Sequence, residues 1–336
     1  MALFLLPFLS AFSASLFVSL FLALPVLRHA NRRVGARHRS ARGVLISRLG
    51  GLAIIGAFFF AIGIDQHLVV TRPVLGLLVS SIFILCFGVI DDFLEIDWKT
   101  QFLFQVVLGI IAYFSGIRID FVTNPFGGII DLTVFPGVSF LVTLLWLLII
   151  VNAVNWLDGA DGLLGGVGSI AAIAIFCISL RPEVNQPPMA ILAVSLFGAI
   201  GGFLVLNIPP ARIFAGTTGS IFIGFSLAAL AIMAGSKIAT TLLVLSLPII
   251  DAILVFFRRI FSGDSVFQAD ERHIHFRLLR LGWSPTGIFS VVTLFTGFVA
   301  FLSLQTSPLL KVSAFFLLMM IFIIVYAFLD SVLKKK

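Results

Sequence analysis

The sequence predicts an all-α polytopic integral membrane protein of about eleven transmembrane helices, and three observations carry that expectation. Hydrophobic residues make up 60% of the 336-residue chain, charged residues only 11%, and mean hydropathy is +1.19. Soluble domains hold about 45–50% apolar and about 25% charged residues, so a water-soluble globule is excluded. The apolar residues, about 200 of them, would fill ten or eleven spans of about 20 residues each. They also fall in discrete runs, at 3–27, 49–64, 73–90, 101–117, 138–155, 163–180, 188–206, 220–235, 238–257, 286–303 and 312–331. The second and eighth runs are short, which leaves ten as the alternative count. No basic segment precedes the first run, and it is too long for a cleaved signal peptide, so it is expected to remain as a helix. Residues 1–336 read as a single transmembrane domain without an internal repeat. Cys86 and Cys177 both lie in apolar runs. Two such residues neither frame a disulfide scaffold nor complete a zinc site.

The basic residues predict the orientation. With the amino terminus outside, the cytoplasmic loops are 28–48, 91–100, 156–162, 207–219 and 258–285, and the carboxyl terminus is cytoplasmic. Seventeen of the 22 Lys and Arg then face the cytoplasm, seven of them in the first loop and five in the last. Arg72, Arg118, Arg181, Lys237 and Lys311 remain on the other face. This is the asymmetry that orients helical membrane proteins. The formal charge of +7 therefore reads as topology, with no nucleic-acid partner expected. Nine acids, Asp91, Asp92, Glu95, Asp97, Asp158, Asp161, Asp264, Asp270 and Glu271, follow the same side although no orientation rule requires it. Carboxylates and arginines gathered at one membrane surface point to a site. On the outer side, the alternating segment 118–137 with its Pro-Phe-Gly-Gly turn predicts a small hairpin.

Four constellations could carry chemistry. Asp91-Asp92 ends the third run, and adjacent carboxylates at a membrane boundary repel unless a cation or proton relieves them. Either a hydrated helix end or a magnesium or general-base site is consistent with that. Asn152, Asn155, Asp158 and Asp161 recur every three residues and would share one helical face, with Gly159 and Gly162 exposing backbone amides to a phosphate. Two Asp-Gly steps are also ordinary turn chemistry. The run 207–220 places Arg212, Gly216, Thr217 and Ser220 ahead of a helix, where free amides bind anions. A plain Ser or Thr cap is the mundane counterpart. Finally, Arg272-His273-Ile274-His275-Phe276-Arg277 follows two acids in the longest cytoplasmic loop. It reads as a phosphate or sugar clamp, because Arg grips phosphate with two parallel hydrogen bonds, or as a solvated turn or an adventitious metal binder. Asp251 is an intramembrane acid, functional by default, or else snorkelling to the surface or paired with Arg258 or Arg259.

In this order the segments resemble the polyprenyl-phosphate N-acetylhexosamine-1-phosphate transferase family. The resemblance spans about residues 40–285. It runs through Arg48-Leu49-Gly50-Gly51, Asp91-Asp92 with Lys99 and Gln105, and Asn-x-x-Asn-x-x-Asp-Gly-x-Asp-Gly-Leu at 152–163. Asn-x-Pro-Pro-Ala-x-Ile-Phe-x-Gly at 207–216, Pro248-Ile249-Ile250-Asp251 and His273-Ile274-His275 complete it. The His-Ile-His loop is more similar to the bacterial undecaprenyl-phosphate N-acetylglucosamine-1-phosphate branch than to the peptidoglycan branch. The resemblance implies transfer of HexNAc-1-phosphate from a UDP-sugar to a polyprenyl (undecaprenyl) phosphate, with release of UMP. It implies catalysis through Asp91, Asp92 and Asp158. Magnesium, or manganese in its place, would be held by Asp91, Asp92, Asp158, Asp161 and position 217. Substrate contacts would come from Asn152, Asn155, Asp161, Arg212, Gly216, Ser220, Arg272, His273, His275 and Arg277. The implied setting is the bacterial inner membrane, with the active site facing the cytoplasm, membrane lipid around the spans and a homodimer as an allowed assembly. The chain departs from the family pattern at Thr217, where a metal-binding Asp is expected, and at Ser40, Gln101 and Phe276. Thr217 leaves a second reading open, a catalytically silent relative that serves glycan assembly as a partner or regulator.

Overall fold

The computed structural model describes residues 2–30, 48–124, 127–235, 237–263 and 272–333. Ser40 and the arginines between positions 31 and 47, with Asp264, Asp270, Glu271 and the terminal lysines, lie outside the described residues. Thirteen helices and one two-stranded hairpin occupy the rest. In chain order they are α1 (Ala2–Ala30), α2 (Gly50–Ile64), α3 (Arg72–Leu94) and α4 (Trp98–Phe114), then β1 (Phe121–Thr123) and β2 (Ile129–Asp131). They continue with α5 (Pro136–Asn155), α6 (Leu163–Ser179), α7 (Pro187–Asn207), α8 (Gly216–Met233) and α9 (Ile238–Val244). The chain closes with α10 (Ser246–Ser262), α11 (Ile274–Arg280), α12 (Pro285–Gln305) and α13 (Pro308–Leu333).

Among the described residues, seven helices are long and apolar enough to cross a membrane: α1, α3, α5, α7, α8, α12 and α13. The α9–α10 pair qualifies as an eighth, and α2, α4 and α6 are shorter apolar helices. The protein is thus a multi-pass helical membrane protein. The 238–257 run, expected as one span, is instead broken at Leu245 and bent by 76°. Pro248 explains the break, because a proline inside a helix removes a backbone bond and clashes with the preceding turn. In the first turn of a new helix the missing N–H costs nothing. The outer hairpin forms as expected, with Phe121 opposite Asp131 and Thr123 opposite Ile129.

Small residues set the packing. In lipid, apolar burial does not drive helices together, so close approach and dispersion must do so. Helix α8 is central and almost wholly buried. A Cβ on its Gly224 would lie 2.9 Å from the backbone of Val151 in α5, and one on Gly88 of α3 would lie 2.5 Å from Thr218. Trp146 of α5 donates its indole N–H to the Ala228 carbonyl at 3.1 Å. At the periphery, α1 turns Ala11, Ser15, Ser19 and Ala23, one residue every four, toward its neighbours. Ser15 donates to the Ala199 carbonyl of α7 at 2.6 Å. These contacts bring the ends of α3, α5 and α7 and the starts of α2, α6 and α8 to one end of the bundle.

Candidate active site

The site grows around the amino terminus of α8. The first amides of a helix lack intrahelical partners and carry a partial positive charge, so carboxylates are favourable there. Two acids from distant parts of the chain take that role. Asp92, in the last turn of α3, accepts from the Thr217 amide at 2.7 Å, the Thr218 amide at 3.2 Å and the Thr218 hydroxyl at 2.6 Å. Asp158, in the 3-10 turn Trp156–Gly159 after α5, accepts from the amides of Gly216 at 2.9 Å and Ala215 at 3.3 Å. Gly216 makes this convergence possible. Its φ is +67°, and a Cβ there would lie 2.5 Å from the Arg48 carbonyl oxygen and 2.6 Å from Asp92 Oδ1.

Asp91 faces the same space but is held differently. Its Oδ1 accepts from the Ile96 amide at 3.0 Å and from Gln101 Nε2 at 2.8 Å. Its Oδ2 has no hydrogen-bond partner among the described residues. Gln101, a departure from the family pattern, therefore orients this carboxylate as a neutral donor. Asp91, Asp92, Asn155, Asp158, Gly216 and Thr217 line a cavity of about 490 Å³, together with Arg48, Glu95, Ile96, Gln101 and Phe214. Arg48 pairs with Glu95 at 2.9 Å on the exposed side, a contact that contributes little. The Gly50 and Gly51 amides bond to the Phe214 and Ala215 carbonyls, each at 2.9 Å, fastening the Arg48–Gly51 motif to the loop before α8.

Asn155, Asp158 and Thr217 apart, the polar residues of the 152–163 and 207–220 runs stand around this cavity rather than on its wall. The 152–163 segment does not continue as one helix. α5 ends at Asn155, the 3-10 turn follows, and Gly162 at φ +77° redirects the chain into α6. The expected shared face is therefore split. Asn152 bonds to Gln105 Oε1 at 2.6 Å, and Asn155 accepts from the Ser220 hydroxyl. Asp161 turns to the Ala211 amide at 3.0 Å and braces the Pro-Pro loop rather than the cavity. Asn207 does the same work, accepting from Gly162 N at 3.1 Å and donating to the Ile213 carbonyl at 2.8 Å. Arg212 is exposed.

The histidine segment packs against the Asp158 turn from the other side. His273 lies 4.8 Å from the Trp156 ring, centroid to centroid, and its Nδ1 bonds to Asp251 at 2.6 Å. Asp251 thus partners His273 and the Ile274 amide, not Arg258 or Arg259 as the sequence reading allowed. His275 stacks parallel to His273 with 5.9 Å between centroids. Its Nε2 is buried without a partner among the described residues, 3.3 Å from where a Cβ on Gly159 would sit. Burial pushes the His275 pKa down to about 4; Asp251 opposes that shift and His273 adds to it. Arg277 is also pulled below its ordinary value, first by burial and then by Arg258. Arg272 offers its carbonyl to Arg277 Nε at 2.6 Å. Glu95, counted in the sequence only among the acids of the expected cytoplasmic side, here pairs with Arg48 at the cavity. Asp330, which pairs with Arg258 and Arg277, escaped the sequence reading; its signal was an acid closing an apolar run.

The donor set also bears on a metal ion. Among the described residues no three His, Cys, Asp or Glu converge as a closed protein cage. Magnesium rarely uses such a cage; it keeps waters and takes one or two carboxylates plus substrate phosphates. Asp91, with one oxygen unengaged, and one of its neighbours Asp92 or Asp158 would fit that mode. Thr217 contributes its amide to Asp92 and no carboxylate.

Carboxylates gathered on a helix amino terminus, at the end of an apolar bundle, form a polar cavity in a multi-pass membrane protein. A family model described as glycosyl transferase family 4 matches residues 74–235. The probable undecaprenyl-phosphate N-acetylglucosaminyl 1-phosphate transferase of Bacillus subtilis is 28% identical over 289 residues, covering 82% of this chain and 78% of that protein. The decaprenyl-phosphate N-acetylglucosaminephosphotransferase of Mycobacterium tuberculosis is 32% identical over 317 residues, covering 84% of this chain and 78% of that protein. A phospho-N-acetylmuramoyl-pentapeptide-transferase of a Geobacillus species is 27% identical over 207 residues, covering 59% of this chain and 63% of that protein. The chain belongs to the polyprenyl-phosphate N-acetylhexosamine-1-phosphate transferase family.

Proposed function

We propose that this protein transfers N-acetylglucosamine-1-phosphate from UDP-N-acetylglucosamine to a polyprenyl phosphate, releasing UMP and starting a lipid-linked glycan. The observation that carries the reading is the cavity in which Asp91, Asp92 and Asp158 meet the α8 amino terminus beside Arg48. A phosphate oxygen of the lipid attacks the sugar-linked phosphorus. The bond from that phosphorus to the bridging oxygen breaks, and UMP leaves with the oxygen. Both reactants are anions, so catalysis is mostly positioning and charge stabilisation.

Asp91 is the group placed to hold a proton from the lipid phosphate, at its unengaged Oδ2. Asp92 and Asp158 shape the phosphate pocket by fixing the α8 amides, and Arg48 supplies a bidentate grip. His273, His275 and the nearby arginines hold the diphosphate end of the nucleotide. Magnesium, or manganese, would be held by Asp91 with Asp92 or Asp158, together with the substrate phosphates, and would offset charge on the transferred phosphoryl group. The eleven-span topology counts α9–α10 as one span and α2, α4 and α6 as spans. It puts the amino terminus outside, the carboxyl terminus inside and the cavity at the cytoplasmic face of a bacterial inner membrane. A silent-relative role finds no support, since three carboxylates still line the cavity without Thr217.

The test is purified protein in detergent with undecaprenyl phosphate and a panel of UDP-sugars. UMP release is expected with UDP-N-acetylglucosamine. No UMP with any donor, at any magnesium or manganese concentration, would overturn the proposal.

A further inference from the structure

Helix α11 has only seven residues, too few to hold a helical shape on its own in water. It nevertheless positions His273 and His275 against the turn that carries Asp158. Besides the neighbouring α12, its restraints include α10 and the last helix, α13, which lies beyond the matched family region and beyond every motif of the sequence. Tyr326 of α13 is 1% exposed, and its hydroxyl donates to Asp251 Oδ1, the oxygen that also takes the Ile274 amide. The other oxygen of Asp251 holds His273 Nδ1. The Tyr326 ring lies 4.6 Å from the Arg277 guanidinium and 5.1 Å from that of Arg258. One helical turn on, Asp330 pairs with both arginines, one on each oxygen. Neither Tyr326 nor Asp330 lines the cavity.

We propose that Tyr326 and Asp330 are positioning residues for the transfer reaction, together clamping the His273–Arg280 segment against the nucleotide end of the site. The inference rests on the proposed function for its kinetic part only. Asp330 neutralises two arginines that would otherwise repel across the Tyr326 ring, and this keeps Arg277 at the segment. Tyr326 completes the hydrogen-bond set of Asp251, which fixes the ring of His273 and the tautomer with the proton on Nδ1 when the histidine is neutral. A hydrogen bond to a charged group is worth about one to two decades in an equilibrium, and Asp330→Asn weakens two of them at once, to Arg258 and Arg277.

The experiment compares wild type with Tyr326→Phe, Asp330→Asn and Asp330→Glu. It measures hydrogen–deuterium exchange across the chain and steady-state kinetics for each substrate. The clamp predicts faster exchange confined to residues 272–281, by about tenfold or more in Asp330→Asn. It predicts a KM for the UDP-sugar raised about ten- to hundredfold in that variant and less in Tyr326→Phe. The KM for polyprenyl phosphate should stay unchanged, with partial rescue in Asp330→Glu. Exchange and kinetics like wild type in both Tyr326→Phe and Asp330→Asn would refute the clamp. Faster exchange throughout the bundle, with both KM values shifted alike, would reduce the pair to a general structural role and also refute it. If wild type releases no UMP, the functional reading fails by itself, and local exchange at 272–281 still decides the clamp.

Discussion

Replacing Thr217 with Asp tests how the site handles charge. The Thr217 amide lies 2.7 Å from Asp92 Oδ1, and Gly216 beside it donates to Asp158. A new carboxylate at position 217 would therefore lie within about 5 Å of Asp92. At an effective dielectric of about 20, two charges at that separation repel by about 3 kcal/mol. The α8 amino terminus returns about 0.3–1 kcal/mol of that through its dipole. The net penalty is then about 2 kcal/mol in the absence of a cation, worth several degrees in melting temperature for a chain of this size. Thr217→Asp is expected to melt earlier than wild type in EDTA and to regain the loss, with a surplus, as magnesium is added. The metal concentration needed for half-maximal transfer should fall in the same variant. Scanning fluorimetry in detergent and UMP release read the two effects. Equal melting in EDTA, with no response to magnesium, would show that Asp92, Asp158 and position 217 do not share a field. Destruction of a robust native activity would instead place the Thr217 hydroxyl within a different metal shell.

Three further outcomes are expected. Asp158→Asn should lower transfer by about two to four orders of magnitude. It should also destabilise by about 1–3 kcal/mol, because an amide nitrogen would face the Gly216 or Ala215 N–H; near-normal turnover would remove Asp158 from the chemistry. His275 is held neutral, with its pKa lowered to about 4, whereas the unfolded chain protonates near the ordinary value of 6.5. The unfolded state then binds more protons in that window, so this contribution is complete above about pH 6.5 and fades as pH falls toward 4, by roughly 3 kcal/mol in all. The acid-side loss of thermal stability should shrink in His275→Gln, and an identical pH slope in both proteins would refute it. Reporter fusions in the 258–285 loop should behave as cytoplasmic and fusions in the 118–137 segment as external, and the reverse labelling would move the site to the other membrane face.

Much of the architecture was legible in the chain because a bilayer imposes a one-dimensional rule. Span length and apolarity must match the hydrocarbon thickness whatever the packing. The runs at 73–90, 138–155, 188–206 and 286–303 accordingly reappear as α3, α5, α7 and α12 within a few residues. The hairpin near Gly127-Gly128 was readable for an equally local reason, its turn chemistry. Asp91, Asp92 and Asp158 could be singled out because ionised groups beside a membrane are costly and are retained only for a purpose.

Only the tertiary structure decided what each acid touches. Spacing by threes in 152–161 promised one polar face, but the end of α5 at Asn155 and the left-handed Gly162 send Asp158 to α8 and Asp161 to the Pro-Pro loop. No local pattern reveals that Asp92 caps a helix 125 positions away, or that Asp251 answers to Tyr326 rather than to its neighbouring arginines. The sequence by itself determined the membrane class and the longer apolar spans, and it drew attention to the acids at their ends, because hydrophobic length and charge cost are properties of single segments. Which carboxylate meets which amide depends on how closely helices approach. That distance is set by glycines such as Gly88, Gly216 and Gly224, whose missing side chains acquire meaning only once their neighbours are in place.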